Sequence, residues 1–294
     1  QLLVCGLFAY ELNKLSENIQ QQVFGVLGLN KAFYYASKIC LWDSGGDKGQ
    51  QTFYNQALNT LYNFACRGLP AFYNNWVIDI NPNPFIPNSQ IFALDARGNK
   101  SKCDFWITDP PYADAVNYHE LSEFFLAWDE QFIKSIFSEW YADSKRVLAV
   151  KGTGETFNHS MVEIYRNLAN HMPDNGMQIV MFTHQDPSVW ADLTLILWSA
   201  GLHVTAAWNI ATETESGGLK EGNYVKGTVL LVLRKLTSEA TAFSDTITYE
   251  IQEEVKQQID SMRNLEDKED PNFSDPDYVL AAYGTGAIMA VPAH

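Results

Sequence analysis

The chain has 294 residues, a formal net charge of −15, and 46% hydrophobic and 13% aromatic residues. That length and apolar content suit one large α/β domain or two small ones with a full core, and argue against a disordered chain. The acidic balance argues against tight, unaided DNA binding, because a DNA-wrapping surface needs Lys and Arg to neutralise phosphates.

Residues 1–42 read as helical, with Leu2, Leu3, Leu7, Phe8, Leu12 and Leu15 on one spacing and Val23, Val26 and Leu27 on another. Asp43 to Gly49 is a loop, and residues 51–66 read as helical up to the stops Gly68 and Pro70. Trp76 to Ile80 and Ile91 to Leu94 are strand candidates, separated by Asn81-Pro-Asn-Pro84. From Cys103 the pattern is regular. Asp104 to Thr108 predicts a strand, His119 to Tyr141 a helix, and Met161 to Met172 a helix closed by a Pro173-Asp-Asn-Gly176 turn. Met177 to Phe182 predicts a strand buried on both faces, Ser188 to Ser199 a helix stopped by Gly201, and Leu202 to Ile210 and Thr228 to Leu233 two more strands. Residues 237–265 predict an amphipathic helix along Ile247, Ile251, Val255, Ile259 and Met262. An acidic linker over 266–277 and a tail follow.

Strands alternating with helices predict a mostly parallel sheet covered on both faces. The last two strands are joined by a loop of about 17 residues instead of a helix, which makes them antiparallel neighbours. The expected segments are 1–70 (helical), 71–236 (core), 237–265 (amphipathic helix) and 266–294 (linker and tail).

Cys5, Cys40, Cys66 and Cys103 form no C-x-x-C pair, which fits a reducing cytoplasm. The histidines show no metal-ligand spacing, so no metal is expected. No apolar run reaches the roughly 18–20 residues of a membrane span, and no basic-then-apolar signal segment opens the chain. The chain starts at Gln1, so residues upstream are expected.

The chemistry lies in Asp109-Pro110-Pro111-Tyr112, directly after the apolar Phe-Trp-Ile strand. An exocyclic amine is a poor nucleophile because its lone pair is delocalised into the ring. Two acceptors holding both N–H groups favour a tetrahedral nitrogen with its lone pair aimed at a methyl donor. Asp109 can supply a carboxylate and Pro110 a carbonyl, while the two prolines fix φ and offer no competing N–H. Tyr112 can stack on a base swung out of the duplex, worth roughly 1–3 kcal/mol. The end of a strand is where α/β sheets place ligands. By itself the same tetrapeptide is also read as a strand followed by a Pro-Pro turn.

The stretch from Cys103 to Trp128 (CDFWITDPPYADAVNYHELSEFFLAW) closely resembles the DUF1156 group of adenine-specific DNA methylases, often associated with anti-phage systems. The similarity runs from about Asn30 to Lys235. It includes Phe53 to Asn59 (FYNQALN), Arg146 to Leu148, Phe182-Thr-His184 with Trp190, and Leu230 to Lys235. The resemblance implies a Rossmann-like S-adenosylmethionine-dependent methyltransferase fold with an antiparallel final strand and helical flanks. It further implies N6-adenine methylation of DNA with S-adenosylmethionine as donor, and defence-system proteins as partners. N4-cytosine, RNA or protein-amide methylation, and a catalytically silent docking subunit of a defence assembly, are the other readings of the chain.

Such enzymes carry a glycine-rich loop after their first strand, and none is evident here. Ser44 to Gly49, Gly152-Thr-Gly154 and Gly284-Thr-Gly286 are weak substitutes. The loop is therefore expected upstream of Gln1. Asp95, 14 residues before Asp109, is either an acceptor for the cofactor's adenine amine or a turn aspartate. Asp79 is a candidate for the ribose hydroxyls. Asn117, Glu120 and His184 are candidates for the target pocket, and His119 reads as a first-turn helix residue. Tyr283 to His294 resembles a segment of the leucyl-tRNA synthetase editing domain, but is far too short to carry that function.

Overall fold

The computed structural model describes residues 2–36, 42–43, 45, 48–53, 73, 75–78, 89–111, 118–139, 149–150, 154–211, 227–237, 244–264, 273 and 275–288. The chain forms two compact units, Gln1–Ala93 with Tyr118–Lys145, and Leu94–Asn117 with Arg146–His294.

The first unit contains α1 (Leu2–Leu15), α2 (Ile19–Tyr35), the short antiparallel pair β1 (Trp42–Asp43) and β2 (Lys48–Gly49), and α3 (Tyr118–Ile136). Of the helical stretch expected over 1–42, residues 2–35 form two helices, because Asn18 is extended and its side chain caps α2 by accepting from Gln21 N at 2.9 Å, while Trp42 lies in β1 and residues 37–41 lie outside the described residues. Cys5 and Ala9 of α1, Leu29, Ala32 and Phe33 of α2, and Phe132 of α3 share one core, where the Phe33 ring lies 4.5 Å from that of Trp128. Trp76 sits in a helical turn and opens no strand. Its ring is held 5.6 Å from that of Phe8. The helix expected over 51–66 lies outside the described residues beyond Phe53.

The second unit contains β3 (Phe105–Thr108), α4 (Glu155–Asn170), β4 (Met177–Phe182), α5 (Pro187–Ser199), β5 (Leu202–Ala211), β6 (Gly227–Lys235), α6 (Ser244–Asn264) and α7 (Asp275–Ile288). The strands form one sheet in the order β3-β4-β6-β5. β3 pairs parallel with β4, with Phe105 opposite Met177 and Thr108 opposite Val180. β6 runs antiparallel to both β4 and β5. Among the described residues the sheet is thus mixed, with one parallel and two antiparallel pairings. β3, β4 and β5 still run in one direction, because β6 inserts between β4 and β5. The strand candidate at Ile91 to Leu94 has no regular structure.

The apolar periodicity explains which face is closed. Val180 and Phe182, Leu231 and Leu233, and Leu202 and Val204 point to one side, where α4, α5 and α7 cover them with Phe157, Tyr165, Trp190, Leu193, Leu197 and Leu280. β4 was expected to be buried on both faces, but its residues alternate between buried and half-buried. Its other face lines up with Phe105 (63% exposed), Ile107 (69%) and Trp208 (61%), so that side of the sheet is open at these positions. α5 starts on Asp186, whose carboxylate accepts from Ser188 N at 2.8 Å, with Pro187 at the first helical position. It ends before Gly201, held at φ 85°, where a side chain would be strained.

The carboxyl-terminal residues are part of this core. Residues 275–288, read from the sequence as part of a linker and tail, form α7 against β5 and β6. A Cβ on Gly284 would come within 2.9 Å of Val229 Cγ1, so only glycine lets the helix approach this closely. Among the described residues, no helix is long and apolar enough to cross a membrane.

Candidate functional site

β3 and β4 run side by side in the same direction, so their carboxyl ends open on one edge of the sheet. Asp109 leaves that edge exposed to solvent, Pro110 is buried beneath it, and Pro111 is exposed. His184 follows the end of β4 at the same edge. Its Nδ1 accepts from Asp186 N at 2.9 Å and its carbonyl accepts from Trp190 Nε1 at 2.8 Å. The ring nitrogen facing Asp186 N is therefore the unprotonated one. His184 shapes the turn from β4 into α5 as well as standing at the edge.

Two hydroxyls brace the strand end under Asp109. Thr108 Oγ1 lies 3.4 Å from Tyr165 Oη and 3.5 Å from the Ile179 carbonyl of β4, to which it donates. Tyr165 on α4 is 1% exposed. Burial pushes its phenol far above the ordinary range, and the nearby Asp109 charge acts in the same direction, so it remains a donor. Tyr165 was not singled out in the sequence. Its spacing with Met161 and Leu168 marks only an apolar helix face, and nothing local says that its hydroxyl reaches a strand end.

α4 starts at this same edge. Gly154 adopts φ 64° at its amino end, Glu155 lies in the first turn, and Asn158 borders Pro110 and Pro111. A cleft of about 30 Å³ behind the prolines is lined by Phe157, Asn158, Phe182 and Asp192 among others. That volume admits a water and no more. The cleft is a packing seam between the prolines, α4 and α5.

Asp95 lies at the opposite edge of the sheet: the turn it begins, Ala96–Gly98, is tied to the far end of α4 through Asn167 Nδ2, which donates to the Ala96 and Asn99 carbonyls at 3.1 and 2.8 Å. Cys103 N likewise bonds the His171 carbonyl just beyond α4. The Asp95 carboxylate caps its own turn, accepting from Arg97 N at 2.9 Å and pairing with the Arg97 guanidinium at 2.6 Å. The side-chain bond to Arg97 holds its carboxyl below the usual range despite partial desolvation. It behaves as the turn aspartate and is not brought to Asp109. Glu120 lies exposed in the first turn of α3, in the first unit. Asp79, Tyr112 and Asn117 lie outside the described residues.

The substitutes for a glycine-rich loop also resolve where described. Gly284 and Gly286 are interior to α7, Gly154 caps α4, and Lys48 and Gly49 form β2, paired antiparallel with β1. No group of three His, Cys, Asp or Glu side chains among the described residues sits close enough to hold a metal ion. Comparison of the chain with protein-family models, with curated proteins and with solved structures finds no match.

Proposed function

We propose that this chain belongs to an S-adenosylmethionine-dependent methyltransferase that methylates an amino group of a DNA base, N6 of a flipped adenine, within a cytoplasmic anti-phage system. The observation that carries the reading is the Asp-Pro-Pro sequence at the carboxyl end of a strand in a parallel pair, with Asp109 exposed and Pro110 buried. An exposed carboxylate on a rigid, donor-free turn is suited to accept one N–H of an exocyclic amine, while a proline carbonyl accepts the other. Held in this way, the nitrogen is biased towards a tetrahedral geometry, and the positive charge that develops on it faces a carboxylate. The sheet order is a second support. Three strands in one direction with a reversed last strand between the final two is the pattern expected of the closing half of a Rossmann-like methyltransferase sheet.

S-adenosylmethionine would supply the methyl group. Its binding residues are not assigned to any described side chain, and Asp95 is not among them. Calorimetric titration of S-adenosylmethionine tests this, on this chain and on a version extended at its amino end. Saturable binding in either supports the reading; no binding in both overturns it.

A docking subunit without catalysis is favoured by a different observation. Phe105, Ile107 and Trp208 lie exposed on one face of the sheet in a chain of net charge −15. On that reading Asp109→Ala leaves the partner complex and its activity unchanged.

A further inference from the structure

Asp129 on α3 is 6% exposed, and Asn30 on α2 donates its Nδ2–H to Asp129 Oδ2 at 2.7 Å. The other oxygen of each side chain, Asn30 Oδ1 and Asp129 Oδ1, is buried without a hydrogen-bond partner. Two orphaned acceptors on one already bonded pair is a costly arrangement, since each has given up water without gaining a hydrogen bond in return. One proton removes both defects. Placed on Asp129 Oδ1, it gives that oxygen a hydrogen to donate, which Asn30 Oδ1 of the same bonded pair can accept, closing a two-bond ring between carboxylic acid and amide.

We propose that Asn30 and Asp129 form a proton-holding clasp between α2 and α3, doubly bonded when Asp129 is protonated and singly bonded when it is ionised. The surroundings suit this. Burial pushes the Asp129 carboxyl up to about 6, with the Asn30 hydrogen bond opposing it. The cations on the neighbouring helices have other partners: Lys31 Nζ donates to the Val77 carbonyl at 3.0 Å, Lys14 lies 4.0 Å from Glu11, and Lys134 pairs with Glu130. On α1, Cys5 is held neutral, its thiol pushed up to about 11 by burial, and on α2 the Tyr34 phenol is also raised by burial. The side chain that bonds the Asp129 carboxyl is therefore the neutral amide.

The sign follows from a raised acid. The folded unit binds the proton more tightly than the unfolded chain, so the extra stability is complete below about pH 4 and is lost as pH rises through about 6. Hydrogen exchange followed by mass spectrometry reads this on the whole chain, using α2 and α3 peptides with β4 and β6 peptides as internal reference. After correction for intrinsic rates, exchange in α2 and α3 should be about tenfold slower at pH 5 than at pH 7.5. Asp129→Asn places a permanent donor opposite Asn30, and should give the slow rate at both pH values. Equal protection of the wild type at both pH values, or an Asp129→Asn chain as pH-dependent as wild type, overturns the clasp. A variant that fails to fold leaves a direct reading on the wild type. The carboxyl carbon signal of Asp129 should titrate near 6, and titration near 4 overturns the proposal.

Discussion

Asp109 follows a strand of only four residues, and the hydroxyls of Thr108 and Tyr165 hold the end of that strand to β4 and α4. Tyr165→Phe keeps the buried ring and removes that contact, which should cost about 1 kcal/mol in urea unfolding. Asp109 itself is exposed, so Asp109→Ala should change stability by no more than about 0.5 kcal/mol. A loss of function in that variant would then report chemistry and not folding. The motif residues were legible at once because Asp-Pro-Pro is continuous in the sequence. Tyr165 was hidden because its role depends on a contact 57 residues away. Asp129 was hidden for the same reason, its amide partner lying 99 residues distant.

At the scale of elements, reading improved where burial follows a simple period. β4, α5, β5 and β6 were expected within two residues of their observed ends, since strong apolar runs and clear stops mark them. The failures have physical causes. Ile91 to Leu94 has strand-forming residues, but Ile91 is 67% and Phe92 62% exposed, and propensity without a neighbouring strand or a buried face does not make a ladder. α7 was missed because close packing on the sheet selects Gly284, Ala281 and Ala287, small residues that read as a featureless tail. Leu280 is the large residue that anchors this helix, 1% exposed in the core beneath it. Leu280→Ala should lower the unfolding free energy by about 2–5 kcal/mol. A stability equal to wild type would show that α7 is not part of the core.

At the scale of the whole molecule, the two compact units are each discontinuous in sequence, and α3 belongs to the first although the sequence reading carries it inside the 71–236 segment. The acidic charge bears on the proposed substrate. With −15 overall, duplex DNA should bind this chain weakly, so a labelling test on this chain needs DNA in excess. The most direct test of the central claim is transfer of a labelled methyl group from S-adenosylmethionine to adenine-containing DNA at low salt, comparing wild type with Asp109→Ala. The account predicts label at adenine N6 that falls by at least about a hundredfold in the variant while its stability stays unchanged. Equal labelling by the two proteins, or label on neither DNA sample under conditions where the cofactor binds, would contradict it.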